Sequence, residues 1–249
     1  MQTRLLLRTS LLALAALSLV PSTSAVIIVP ISQAIGHQQG DNVNPGDGSL
    51  SRAINGTGLT KPDVNNISTW THDTLWQDGW QGGGASGLTG NVGWLVLDLG
   101  TPTANLDDLY LWNVNEGGLP LQRGVQTFKL WYALSPTVTP PASGGGAQNY
   151  NFSSGGWTQF GGLDTLAQGP GNASETYSGV FDLTGIVSAR YLAIEAISNY
   201  GSGVGGGDNA NRTGLAEVVV TAAPEPTVTT LGLFALGALL ARRRPAPRP

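Results

Sequence analysis

Apolar residues recur at every second position in several short runs of this chain. Leu95, Leu97 and Leu99 alternate with Trp94, Val96 and Asp98, and Gly100-Thr101-Pro102 closes the run. Phe128, Leu130 and Tyr132 alternate within Val125 to Ala133, as do Leu192, Ile194 and Ala196 within Arg190 to Ala196. Successive side chains of a strand point to opposite faces, so each run has one face to bury as a strand and none as a helix. Shorter apolar stretches bounded by turn residues occur at Leu109 to Val114, Trp157 to Phe160, Val180 to Leu183 and Leu215 to Thr221. Val26 to Ile31 reads as an entry strand that Pro30 confines to a sheet edge, because proline has no amide to donate. No stretch between 26 and 223 sustains a period of 3.6. About eight short strands with polar loops predict an all-β protein, an antiparallel β-sandwich.

Glycine clusters at 82–84, 144–146 and 205–207 punctuate these runs instead of forming one linker, and glycine supplies the positive φ that turns require. The five Asn-x-Ser/Thr sequences read as loop composition. Cysteine is absent, which excludes disulfides, thiol catalysis and cysteine zinc sites. Stability must then come from a packed core or a bound metal. His37 and His72 are the only histidines, and their separation matches no transition-metal ligand spacing. All sixteen acidic residues lie between 41 and 225, whereas six of the twelve basic ones sit near the two ends. The stretch between is therefore acidic, which disfavours nucleic acid and anionic lipid and suits neutral sugars or divalent cations.

Both ends read as addresses. Arg4 and Arg8 precede an apolar run, Leu11 to Val20, and the small residues Thr23-Ser24-Ala25 follow. This is the layout of a secretory signal peptide over 1–25, helical and removed on export. At the other end Pro224-Glu225-Pro226 precedes an apolar segment, Thr227 to Ala241, and then Arg242-Arg243-Arg244. Moving guanidinium groups through hydrocarbon is costly, so such a segment stops with its arginines on the cytoplasmic side. It is shorter than the roughly 20 residues that span a bilayer. The tail over 224–249 resembles the PEP-CTERM sorting signal of Gram-negative bacteria. That resemblance implies a short hydrophobic helix outside the domain and an exosortase-type protease at the inner membrane that removes the tail. The protein would then reside at the outer-membrane surface or outside the cell. A plain single-span anchor is the alternative. The folded domain is expected over 26–223.

Five segments in order carry a second resemblance: Trp94 to Gly100, Leu109 to Asn115, Arg123 to Tyr132, Ala189 to Glu195 with Ser198 to Gly201, and Gly214 to Val218. Together they are similar to the discoidin, or coagulation factor 5/8 type C, family over about 45–221. This implies the galactose-binding-domain-like jelly roll and a binding module for carbohydrate, lipid or protein. The family's frequent structural calcium would fall on Asn55, Thr57 and Glu217. The family's usual aspartate is Asn55 here, which lowers the charge of such a cage. An ordinary turn, with Glu217 solvated or paired with Arg52 or Arg212, is the alternative.

Ligand candidates come from aromatic and amide side chains near the expected loops. Trp94 and Trp131 sit in strand patterns and are expected in the core. Trp76 and Trp80 flank Asp78; the resemblance implies a tryptophan packed under the first loop, against which stands a sugar platform, for which Trp80 is the better placed. Trp112, Asn113, Asn115, Arg123 and Tyr200 complete the candidate set, an apolar wall with directional polar groups. The same polar residues could instead satisfy loop backbone. No Gly-x-Ser-x-Gly, His-Glu-x-x-His or phosphate-binding glycine loop occurs. Asp73, Asp78, Asp107, Asp108 and Glu116 could supply a glycosidase pair only if two converged. The expectation is an exported, non-catalytic protein that binds polysaccharide or cell-surface glycan, or is itself part of an exopolysaccharide-associated extracellular matrix. The alternatives are an adhesive envelope protein that binds other proteins and a glycan-acting hydrolase or lyase.

Overall fold

A computed structural model describes residues 26–38, 48–82, 90–137, 139–140, 144–145, 149–201 and 212–224. The expected signal peptide and all of the sorting tail except the exposed Pro224 lie outside these residues, Glu225, Pro226, Arg242, Arg243 and Arg244 included. Among the described residues no helix is long and apolar enough to cross a membrane.

Strands in chain order are β1 (Ile27–Ile28), β2 (Gln33–Gln38), β3 (Leu59–Thr60), β4 (Thr71–His72), β5 (Trp80–Gly82), β6 (Gly93–Ala104) and β7 (Leu106–Asn113). They continue with β8 (Val125–Ala133), β9 (Gly144–Gly145), β10 (Thr158–Thr165), β11 (Gly179–Asp182), β12 (Ser188–Asn199) and β13 (Thr213–Ala222). Helical structure among the described residues is confined to 3-10 turns of three to five residues. The first sheet has the order β1-β13-β7-β11, with β5 pairing the start of β13 and β1 its end. The second has the order β10-β8-β12-β6-β2-β9. All these ladders are antiparallel except β2 with β9.

The alternating runs do what their period dictates. Leu97, Leu111, Leu130 and Ile194, from both sheets, are each at most 2% exposed and meet in one core. Leu95, Phe128, Leu192, Val218 and Val220 join them, and each such side chain contributes about 1.5–3 kcal/mol by leaving water. The architecture is thus the expected antiparallel β-sandwich. The entry strand is shorter than expected and lies on the edge of the first sheet, beside Pro30. The polar strand β2 is invisible to an alternation reading. It depends on Gly36, where a Cβ would lie 2.5 Å from the Trp94 carbonyl oxygen.

Both outer faces are covered as well. Trp94, Val96, Trp131 and Ala193 point away from the main core and are buried under Tyr150, Phe152 and Trp157. Trp131 stacks on Phe152, and the Trp157 Nε1 donates to the Tyr150 hydroxyl at 2.8 Å. β6 is apolar at both parities, the pattern of a strand buried on two sides. On the first sheet Ile67 and Trp70 cover Trp112, Ala216 and Val219. Leu111→Ala is expected to lower the unfolding free energy by about 2–5 kcal/mol. Val187→Ala, at a site 87% exposed, should change it by less than about 0.5 kcal/mol. Urea titration of both variants measures this, and equal losses would contradict the assigned core.

Candidate functional site

The start of β13 and the ends of β7 and β5 form one end of the sandwich, away from the β1–β13 pairing of Ile27 with Ala222. A small cleft opens there, lined by His72, Asp73, Leu75, Trp76, Gln81 and Glu116 among others. Its interior is about 10 Å³, room for one water. A larger molecule would therefore rest on the rim. Trp76 forms that rim on a 3-10 turn, Trp76–Asp78, and is 38% exposed next to Leu75. The turn is fixed on both sides. Leu75 N donates to Asp73 Oδ1 at 3.0 Å, Asp78 N to Leu75 O at 3.1 Å, and Gly48 N to Gln77 O at 3.0 Å. Gly79 lets it approach β13, since a Cβ there would lie 2.8 Å from Leu215 O.

The polar wall of the cleft is a network. Arg123 Nη1 donates to Gln81 Oε1 at 3.0 Å and to Glu116 Oε1 at 3.4 Å, and Gln81 Nε2 donates to Glu116 Oε1. Burial pushes the Glu116 carboxyl up, and Arg123 and Gln81 oppose that. Burial also raises Asp78, with Asp73 adding to it and Arg52, at 3.8 Å, opposing. His72 is buried and its Nε2 has no hydrogen-bond partner.

The sequence candidates are placed unequally. Trp80 and Trp112 have no exposed surface, so neither ring offers a face to a sugar, and the stacking role expected of them is corrected. Trp80 packs in the main core because β5 pairs with β13, while Trp112 lies under the cover of the first sheet, edge-on to Tyr177. Asn113 and Asn115 are buried and hold backbone. Asn113 Nδ2 donates to Val125 O and Ala167 O, each at 2.8 Å. Asn115 Nδ2 donates to Asp73 O at 3.1 Å and Asn172 O at 2.6 Å, and its Oδ1 accepts from Gly171 N at 2.8 Å. The hydroxyl of Tyr200 donates to Leu166 O at 2.7 Å. For the two asparagines the loop-holding alternative is the one the geometry matches, whereas the bonds of Arg123 go to side chains. Of the six, Trp80 and Asn115 line the cleft, and Arg123 bonds two of its lining residues, Gln81 and Glu116. The sequence left Trp76, Asp73, Gln81 and Glu116 out of the ligand set. The Trp76-x-x-x-Trp80 spacing gives no signal of which ring faces out.

The metal candidates meet at the turn after the 3-10 helix Leu50–Ile54. Gly56 N donates to Glu217 Oε2 at 2.9 Å. Asn55 Oδ1 accepts from Thr57 N at 2.9 Å, and Thr57 Oγ1 accepts from Arg52 at 3.3 Å. Glu217 is 1% exposed and burial pushes its carboxyl up to about 8. Calcium takes six to eight oxygens. Here the three named side chains each have a partner within the protein, and a guanidinium stands at Thr57, so this donor set does not fit a calcium cage. Among the described residues no group of three or more His, Asp or Glu side chains is arranged to hold a metal. Asp107 and Asp108 lie elsewhere, on β7, where Asp108 is directly opposite Asp182. Burial there raises Asp108, and Tyr110 is pushed up to about 12.

No protein-family model matches the chain, and no curated protein does. Solved structures do. A family 32 carbohydrate-binding module of NanJ from C. perfringens, in complex with galactose, has a TM-score of 0.41 and 15% identity over 79% of this chain and 98% of that one. A fucose-binding module from Streptococcus pneumoniae has 0.42 and 12% over 80% and 96%. An F5/8 type C domain from Bacteroides fragilis has 0.43 and 11% over 81% and 99%.

Two expectations follow from the buried polar groups. Asn115→Ala strands several loop carbonyls and amides, and each buried unpaired group costs about 1–3 kcal/mol. Chemical denaturation should show a loss of at least about 2 kcal/mol; a neutral result would mean these loops are held otherwise. Glu175 is buried beside Ser178, and burial raises its carboxyl from 4.5 to about 7. The folded chain keeps a proton that the unfolded chain releases, so stability is full below pH 4.5 and declines as pH rises to about 7. Melting temperatures across that window should fall, and less steeply in Glu175→Gln.

Proposed function

We propose that this chain is an exported, non-catalytic carbohydrate-binding protein whose ligand rests on the rim at Trp76. The observation that carries this is a partly exposed indole on a hydrogen-bonded turn that lines one cleft with Asp73, Gln81 and Glu116. An aromatic face stacks on the apolar face of a pyranose ring, and groups fixed by a network bond hydroxyls without first being ordered. The acidic balance of the chain outside its ends favours neutral glycan over anionic partners.

The carboxylates of the cleft are less suited to hydrolysis. Glu116 is committed to Arg123 and Gln81, and Asp73 Oδ1 to the Leu75 amide. The cleft interior does not admit a sugar ring between them. The two ends of the sequence support export, and the tail from Pro224 supports handling by an exosortase-type protease and residence at the outer-membrane surface or in extracellular polysaccharide. Intact mass of the secreted chain tests this: retention of Arg242 to Arg244 would contradict it.

Glycan-array or polysaccharide pull-down with the chain tests binding. Trp76→Ala is expected to weaken retention at least about tenfold, the scale of an aromatic anchor, with the melting temperature unchanged. No retention on any neutral or acidic polysaccharide, or full retention by Trp76→Ala, would count against the reading.

A further inference from the structure

The turn at 55–58 is docked on β13 by a carboxyl that points out of the sandwich. Glu217 lies directly opposite Trp112, and its Oε2 accepts from the Gly56 amide. The third partner comes from the far side of the turn. Lys61 Nζ lies 4.6 Å from the centroid of the Trp70 ring and 3.0 Å from where a Cβ on Gly56 would be. Gly56 has φ +75°, so glycine serves twice here: it takes the left-handed turn and leaves room for the ammonium group. Lys61, Trp70, Asn55, Gly56 and Glu217 line one cleft of about 150 Å³.

We propose that Lys61 is the built-in cation of this turn and stands where the family resemblance would place calcium. An ammonium over an indole face and beside Gly56 puts positive charge in this cleft and packs the turn against Trp70. Calcium would have to share this small volume with Lys61, and to displace Arg52 from Thr57 and the Gly56 amide from Glu217. Each displacement loses a bond, and the two cations repel a divalent ion. Asn55, neutral and turned to the Thr57 amide, brings no charge to compensate.

The test is thermal unfolding of the full chain in millimolar calcium and in EDTA, for the wild type, Lys61→Met and Lys61→Arg. The methionine keeps the aliphatic stem against Trp70 and removes the charge. Wild type should melt at the same temperature in both media. Lys61→Met should melt several degrees lower in EDTA, and Lys61→Arg should recover part of that. Calcium raising Lys61→Met but not wild type would also support the proposal. An ion bound at a hundredfold excess over its Kd raises the melting temperature by several degrees. Such a rise in wild type, or a Lys61→Met variant that melts like wild type in EDTA, would overturn the assignment.

Discussion

Asn113 and Asn115 close one end of the sandwich from beneath. They follow each other with one residue between, at and just beyond the end of β7, and their amides reach backbone at 73, 125, 167, 171 and 172. These groups come from the β4–β5 connection, the first residue of β8 and the long β10–β11 connection. Buried backbone groups must find partners, and here two side chains supply them. The residue after Asn115 is Glu116, which receives Gln81 and Arg123. The rim at Trp76 therefore stands on a foundation of amide hydrogen bonds rather than on apolar packing alone.

Each sheet is also covered in part on its outer face. One core fills the space between the sheets, a cluster rich in aromatic rings covers the second sheet, and Trp70 with Ile67 covers the first. The aromatic cover is held edge to face, with Tyr150, Phe152 and Trp157 in mutual contact. Such pairs add about 0.5–1.5 kcal/mol each beyond the area they bury. With no cysteine in the chain, these layers do the work that cross-links do in many exported domains.

The sandwich was readable because β8 and β12 alternate, while β6 is a short apolar run closed by Gly100-Thr101-Pro102. Val125–Ala133 has the bounds its pattern implies. β2 and β5 were not readable, since glycine and glutamine carry no periodic signal and both strands exist only through their partners. The same limit hid the site. Trp76 and Trp80 flank Asp78 symmetrically in sequence, and only the pairing of Trp80 with Leu215 decides which ring turns inward. Glu217 bonds the Gly56 amide of the 55–58 turn. The other partner of that turn could not be read from the sequence, because Lys61 reaches Gly56 by a fold of the chain around Trp70 that no spacing encodes.

β13 runs the length of the first sheet, from Leu215 at the cleft to Ala222 at the pairing with Ile27. Seven residues of extended chain separate these points, roughly 23 Å. The first and last described residues, Val26 and Pro224, therefore lie toward the pole opposite Trp76. A surface that met the domain at that pole would leave the indole rim facing away from it, about one strand length off.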